Sequence, residues 1–356
     1  MIMINPLELP TNEMMNGLSN DELITKKKRF NSLVKKMKHD AKRNHCLYCG
    51  KEVESFCNSH TVPDFVLRYI ATNGTVKTFN SILAIDLHEK EKGIKSAGTF
   101  RQICRKCDSE IFRRYEDEAA LTGEITDQMM YEIAMKNYLK SIDKRLTEKE
   151  MNDQLFKLEP VHDTQIMDLN EYLYAFYEAK KYDHLNKRHK YRIIIDEILP
   201  YRTPIAFQGS FALIADLEGN IINDVYCMDE KYRVEELHLC IFPLKVNTRI
   251  LMFVNRDYTN YKRITRNKMK KLPLSDLLSL VNYMVFLYSE DMYLKGDLSE
   301  KILKQLLCVS KVSTPVILGI RGFEEPEIKH KKLKEMYDLI NRNTVPNLLS
   351  EYYKIT

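Results

Sequence analysis

Two cysteine pairs, Cys46-Leu-Tyr-Cys49 and Cys104-Arg-Lys-Cys107, have the spacing at which one backbone turn presents two thiolates to a single ion. Four thiolates complete the tetrahedral shell of a structural Zn2+ and leave no position for substrate. Gly50 behind the first pair permits the tight turn of a zinc knuckle. The second pair opens a predicted helix, whose first-turn amides and dipole favour thiolates. The pairs lie 54 residues apart, and the order knuckle, hairpin, helix is the treble-clef plan. Of the other four cysteines, Cys57 follows Phe56 at a strand-like position and reads as packed, while Cys227, Cys240 and Cys308 read as small buried hydrophobes.

Between the pairs stands Asn58-Ser59-His60-Thr61-Val62-Pro63. The order CLYC, SHTVP, CRKCD resembles the zinc-bearing HNH endonucleases, whose ββα-metal site is built on a treble clef. The resemblance covers about residues 45–118, roughly a fifth of the chain. It implies a strand bearing a metal ligand and then the general-base histidine, a proline beyond, and a helix that supplies a second metal ligand after the last cysteine. Carried over by position, His60 is the general base, Pro63 the proline, Asp108 the helix ligand and Ser59 the first metal ligand. Ser59 departs from the Asp or His usual there, and a hydroxyl is a weak ligand for a hard cation. Glu110, Glu116, Asp117 and Asn58 are further ligand candidates, with Glu110 nearest to Asp108 in the first turn.

The implied chemistry is hydrolysis of phosphodiester bonds. Histidine, with a reference pKa of about 6.5, can take a proton from water near neutral pH. A divalent cation, Mg2+ or Mn2+, would neutralise charge on the phosphate and the leaving oxygen. Two plainer roles remain open: His60 can cap the helix at Asp64 or bind a backbone carbonyl, and Asp108 can simply favour the helix dipole.

Basic residues gather in two places. Residues 22–43 hold nine lysines and arginines against two acids, a local charge of +7, including Lys35, Lys38, Lys42 and Arg43. Residues 256–271 hold seven against one, a local +6, including Arg263 and Arg266, with Tyr258 and Tyr261 interleaved. Arg105 and Lys106 add cations at the second cysteine pair. Such faces supply sequence-independent affinity for nucleic acid, DNA before RNA in this reading, and tyrosines among them can stack on bases. A solvated helix face for the first run and a charged loop for the second are the plainer explanations.

The 356 residues, 44% apolar and 29% charged with a net charge of +5, exclude a disordered or low-complexity chain and suit about two domains. No apolar run approaches the roughly 18 residues of a membrane span. The opening MIMINPLELPTNEMM lacks the features of a secretory signal, which predicts a cytoplasmic protein with reduced cysteines. Phosphate-loop, dinucleotide and nucleophile-elbow motifs are missing from the sequence.

The elements that must position these residues are legible in part. Ser19 to Glu22 is a capping box ahead of an amphipathic basic helix over 20–43. A short helix over 64–71, a strand pair over 75–79 and 82–87, and a charged loop over 89–98 follow. Helical patterns run over 108–121 up to Gly123, then 127–145, 148–158 behind Thr147, and 170–185. From Tyr191 the runs RIIIDEIL, IAFQGSFALIADLEGNIINDVYC, LHLCIFPL and RILMFVNRD read as strands of an antiparallel sheet. Helices return over 274–294, 299–308 and 329–341.

The predicted fold class is therefore α+β. An N-terminal tail (1–19) precedes a basic helix plus treble-clef zinc unit (20–122), and an α+β domain with antiparallel sheet and helices (123–356) follows, with a possible role in binding a protein partner. The function expected is a metal-dependent HNH-type endonuclease; family resemblance implies an anti-phage defence or mobile-element setting. The alternatives are a non-catalytic zinc module that binds nucleic acid or protein, and a zinc unit that only staples the fold.

Overall fold

A computed structural model describes residues 19–41, 43–78, 91–156, 159–184, 189–224, 227, 229, 231–261, 269–289, 291–306, 309, 331, 334, 335 and 338–355. Helix α1 (Asn20–Asp40) starts at the expected capping box: Glu22 N donates to Ser19 Oγ at 3.4 Å and Ser19 N donates to Glu22 Oε2 at 2.9 Å. A knuckle over 46–50 leads to strand β1 (Ser59–His60) and helix α2 (Asp64–Ile70), which buries Val66, Leu67 and Ile70. Strands β2 (Thr75–Thr78), β3 (Glu91–Gly93) and β4 (Thr99–Phe100) follow, then helices α3 (Arg105–Ile111) and α4 (Glu118–Thr122).

Two long helices come next, α5 (Asp127–Met151) and α6 (Glu159–His184), joined in part by a π-type turn over Asn152–Phe156. The C-terminal half contributes β5 (Tyr191–Leu199), β6 (Ile205–Phe211), β7 (Leu237–Pro243), β8 (Thr248–Asn255), helix α7 (Leu274–Tyr288) and β9 (Met292–Lys295). The fold is mixed α+β around an antiparallel sheet.

That sheet has seven strands in the order β3-β2-β9-β6-β7-β8-β5, all antiparallel. Both faces of its centre are covered. Ile205, Phe207, Leu239, Ile241, Ile250 and Met252 share one apolar cluster with Leu280, Val281 and Met284 of α7. The alternate residues Ala206, Cys240, Phe242, Leu251 and Phe253 share another with α2 and α5. Two-sided burial explains why LHLCIFP and RILMFVN read as unbroken apolar runs and not as alternation. Helix α5 lies inside this second layer, so even Glu132, Lys136 and Asn137 are buried.

Strands from both sides of Gly123 meet in one sheet, because β9 pairs with β2 (Val76 opposite Lys295) and with β6 (Phe207 opposite Met292). Arg249 of β8 reinforces the join: it donates to the Leu121 carbonyl at 2.9 Å and pairs with Asp196 at 2.7 Å.

Several expected elements differ. The helix expected over 108–121 breaks after Ile111, and Asp117 starts a new one by accepting from Ala119 N at 2.8 Å. Thr147 caps nothing; its hydroxyl donates to the Asp143 carbonyl one turn back at 2.9 Å, and α5 runs through it. The run over 274–294 divides into α7 and β9, since Met292, Tyr293 and Leu294 are needed between β2 and β6. β6 ends at Phe211, and residues 216–220 beyond it make a tight turn, bridged by Ala215 and Ile221, in which Asp216 Oδ1 accepts from Glu218 N and Asn220 N. The charged loop contains β3, and the strand expected over 82–87 lies outside the described residues.

Candidate metal centre

The Sγ atoms of Cys46, Cys49, Cys104 and Cys107 all lie within 4.8 Å of one another. An ideal tetrahedral zinc–thiolate shell has sulfurs roughly 3.8 Å apart, given Zn–S bonds of about 2.3 Å. The four-sulfur donor set therefore fits a structural metal such as zinc. Among the described residues it is the one group of metal-ligating side chains this close together.

Local structure builds the cluster from both ends. Gly50, at φ +70°, closes the knuckle by donating its N–H to the Cys46 carbonyl at 2.8 Å. Leu47 N donates to the Gln102 carbonyl at 3.0 Å, which holds the knuckle beside the segment entering α3. Cys104 sits at the N-cap of α3, and its N–H donates to Cys46 Sγ at 3.3 Å. From α6, the Lys180 ammonium donates to the Tyr48 carbonyl and lies 4.6 Å from the centre of its ring.

The thiols differ in acidity. The Lys51 N–H lowers Cys49 to about 7, whereas burial raises Cys46 and Cys107. Cys57 stays outside the cluster, as expected. Its S–H donates to Asp108 Oδ2 at 3.2 Å, and burial, then the Asp108 charge, push it up to about 11. Of the scattered cysteines, Cys240 is buried, Cys227 is half-buried and Cys308 lies outside the described residues.

Beside this cluster the structure joins β1 to α3. The Ser59 hydroxyl, buried at 1% exposure, donates to Asp108 Oδ1. His60, on the opposite face of the strand and half-buried, has Nε2 3.0 Å from the Ile94 carbonyl. A carbonyl only accepts, so Nε2 carries the proton and a neutral ring keeps its lone pair on Nδ1.

Two groups that the sequence did not single out together complete the cluster. Lys136 of α5, 1% exposed, pairs with Glu116 and stands 3.9 Å from Asp108 Oδ1 and 4.3 Å from the centre of the Phe112 ring. Burial raises the Glu116 carboxyl against the pull of Lys136 and His60. The end of the helix at Ile111 is what turns Glu116 inward, while Glu110 faces solvent and Asp117 caps α4. The one sequence signal was charge within an apolar helix: Glu132 and Lys136, one turn apart in MMYEIAMKNYL. Glu132 pairs with Arg114.

Of the expected nucleic-acid contacts, Lys35, Lys38, Arg105 and Lys106 are exposed and Arg43 is half-buried; Lys42, Arg263 and Arg266 lie outside the described residues. Tyr261 cannot stack on a base. It is buried at 1% exposure, with its hydroxyl donating to the Glu235 carbonyl at 2.8 Å and accepting from Leu213 N at 3.0 Å. No helix among the described residues is long and apolar enough to cross a membrane.

Comparison of the chain with protein-family models gives no match, and comparisons with curated proteins and with solved structures give none that is significant.

Proposed function

We propose that this chain is an HNH-type endonuclease that hydrolyses phosphodiester bonds of nucleic acid, with His60 as the general base and a knuckle, strand pair and helix on the treble-clef plan around a structural zinc. The observation that carries this reading is the Ser59 to Asp108 hydrogen bond, which ties the strand bearing His60 to the helix that opens at the second cysteine pair. His60 stands next on the same strand with Nδ1 able to accept a proton from water.

The residues as they stand do not fit the Mg2+ or Mn2+ ion that belongs to this reading. Asp108 already accepts from Ser59 and Cys57, and the Lys136 ammonium supplies the positive charge between Asp108 and Glu116. That placement favours a second reading, a zinc module that binds nucleic acid without cutting it.

Incubating the purified chain with plasmid DNA, with Mg2+, with Mn2+ and with neither, separates the two. Cleavage that His60→Ala lowers at least about 100-fold, with zinc retained, supports the nuclease. Retained DNA binding with no cleavage under any of these conditions supports the binding module and overturns the nuclease.

A further inference from the structure

A crevice of about 250 Å3 opens between α1 and the β1–β4 pair, with α5 behind it. Lys35, Lys38 and His39 of α1 line one wall, and Asn58, Thr99 and Arg101 line the other. Thr99 lies opposite His60 in the strand pair, and Asn58 precedes His60 by two residues, so all three share one face of the hairpin. The hydrogen bonds agree: Asn58 Nδ2 donates to the Lys95 carbonyl at 3.0 Å beside the bond from His60 to Ile94. His60 does not itself line the crevice; Asn58 and Thr99, which do, are its neighbours on the hairpin.

Positive charge gathers beside the crevice from parts of the chain far apart in sequence, while Asp143 places one carboxylate in its lining. Lys140 of α5 lies 3.7 Å from Asp291, and Lys144, Lys92 of β3 and Lys38 also act on that carboxylate. Burial alone would raise Asp291, yet these lysines together hold it below the usual carboxylate range. Lys38 is exposed as a residue, but crowding of its ammonium by protein, then by Lys140 and Lys92, lowers it against the pull of Asp143 and Asp291. Cations outnumber carboxylates, and an excess of like charge retained in a crevice focuses a field that attracts anions.

We propose that this crevice binds the sugar–phosphate backbone of single-stranded nucleic acid and leads it onto the His60 face of β1. The proposal deepens the nuclease reading by naming its substrate class, and it rests on that reading for the role of His60. A positively charged groove suits a flexible single backbone, which can thread between α1 and the hairpin. A space of about 250 Å3 between one helix and a strand pair has no room for both strands of a duplex.

The test uses the full chain carrying His60→Ala, so that no strand is cut, and reads fluorescence anisotropy of a labelled 20-nucleotide single-stranded DNA and of its duplex. The single strand should bind at least tenfold more tightly. Its affinity should fall with salt at a slope that Lys35→Gln with Arg101→Gln, both at exposed positions, flattens by about 1.4. The double variant should also bind at least tenfold more weakly, with its thermal unfolding midpoint unchanged. Equal affinity for duplex, an unaltered salt slope, or complete competition by a few millimolar inorganic phosphate would overturn the proposal; the last would leave a small-anion site. Tight strand binding without cleavage by the wild type would sink the nuclease reading and keep the crevice. Cleavage of duplex with no strand preference would do the reverse.

Discussion

Lys136 Nζ stands 3.9 Å from Asp108 Oδ1 and pairs on its other side with Glu116, with both carboxylates drawn to an ammonium that is 1% exposed. Buried ammonium groups are costly unless paired, and here α5 delivers the cation from within the core to a helix and a turn beside the four-cysteine cluster. The triad therefore ties that cluster to the sheet layer through charge as well as packing.

Lys136→Met strands two carboxylates without their counter-charge. We expect a loss of about 3–5 kcal/mol in urea unfolding, the usual cost of breaking a buried pair from one side. The same variant opens the place where a divalent ion would be held, so millimolar Mn2+ should raise its melting temperature more than it raises that of the wild type. Equal responses to Mn2+ would show that Asp108 and Glu116 do not form a cation site even without the lysine.

His238 of β7 is enclosed by Asn137 Nδ2 at 3.1 Å from Nδ1 and by the Tyr138 hydroxyl at 3.2 Å from Nε2, with Phe253 stacked 4.7 Å away. Burial lowers it to about 3, from an ordinary value of 6.5. The unfolded chain therefore binds a proton that the folded chain refuses, and stability present above pH 6.5 is lost as pH falls toward 3. Urea midpoints measured from pH 4.5 down to 3, where Glu236 is protonated in both states, should decline in the wild type, and the decline should flatten in His238→Gln. An unchanged slope would mean that other groups govern the acid limb.

Glu236 has the opposite sign. Burial raises it to about 7, although the Tyr172 hydroxyl donates to it at 3.1 Å. A raised carboxyl contributes stability below its unfolded value near 4.5, and that stability is lost as pH climbs through about 7. Between about pH 4.5 and 6.5 this term opposes that of His238, so the wild type should change little there and Glu236→Gln should unmask a rise of stability with pH, with the acid limb still governed by His238.

How much of this was legible depended on range. The cysteine pairs declare themselves because ligand spacing is local, and β7 and β8 because burial on both faces leaves unbroken apolar runs. Lys136 and Glu116 meet only because the chain turns after Ile111 and Asp117 restarts a helix, a tertiary choice that the helical pattern over 108–121 conceals. Strand β9 was hidden for a related reason: Met292-Tyr-Leu continues the apolar run of α7, and only its pairing with β2 and β6 makes it a strand. Lys92, Lys140 and Asp291 carry no shared signal in sequence, since their proximity is produced by the sheet joining both halves.

Gly98 allows that join to close. It sits at φ +66° with its carbonyl accepting from Thr61 N at 3.0 Å, and a Cβ there would run into the hydroxyl of fully buried Tyr293 on β9. Gly98→Ala should cost about 2–4 kcal/mol in urea unfolding, from left-handed backbone strain plus overpacking. A cost below about 1 kcal/mol would show that β9 and the segment entering β4 can separate at little expense.

Cys49 is the exposed member of the four-sulfur cluster and the one lowered to about 7, so at neutral pH it reaches the thiolate form more readily than buried Cys46 and Cys107. The four thiols would hold the ion as thiolates, so the raised Cys46 and Cys107 would give up protons on binding and uptake should be proton-releasing and favoured by rising pH. Elemental analysis should find one zinc per chain, and chelation should lower the melting temperature by more than about 10 °C, because the four thiols join the knuckle to α3. Cys49→Ser should lose the ion, whereas Cys57→Ser, with its sulfur on Asp108 and outside the cluster, should keep a full equivalent. Zinc lost from Cys57→Ser but kept in Cys49→Ser would place the fifth cysteine in the shell and displace the knuckle from the role assigned to it.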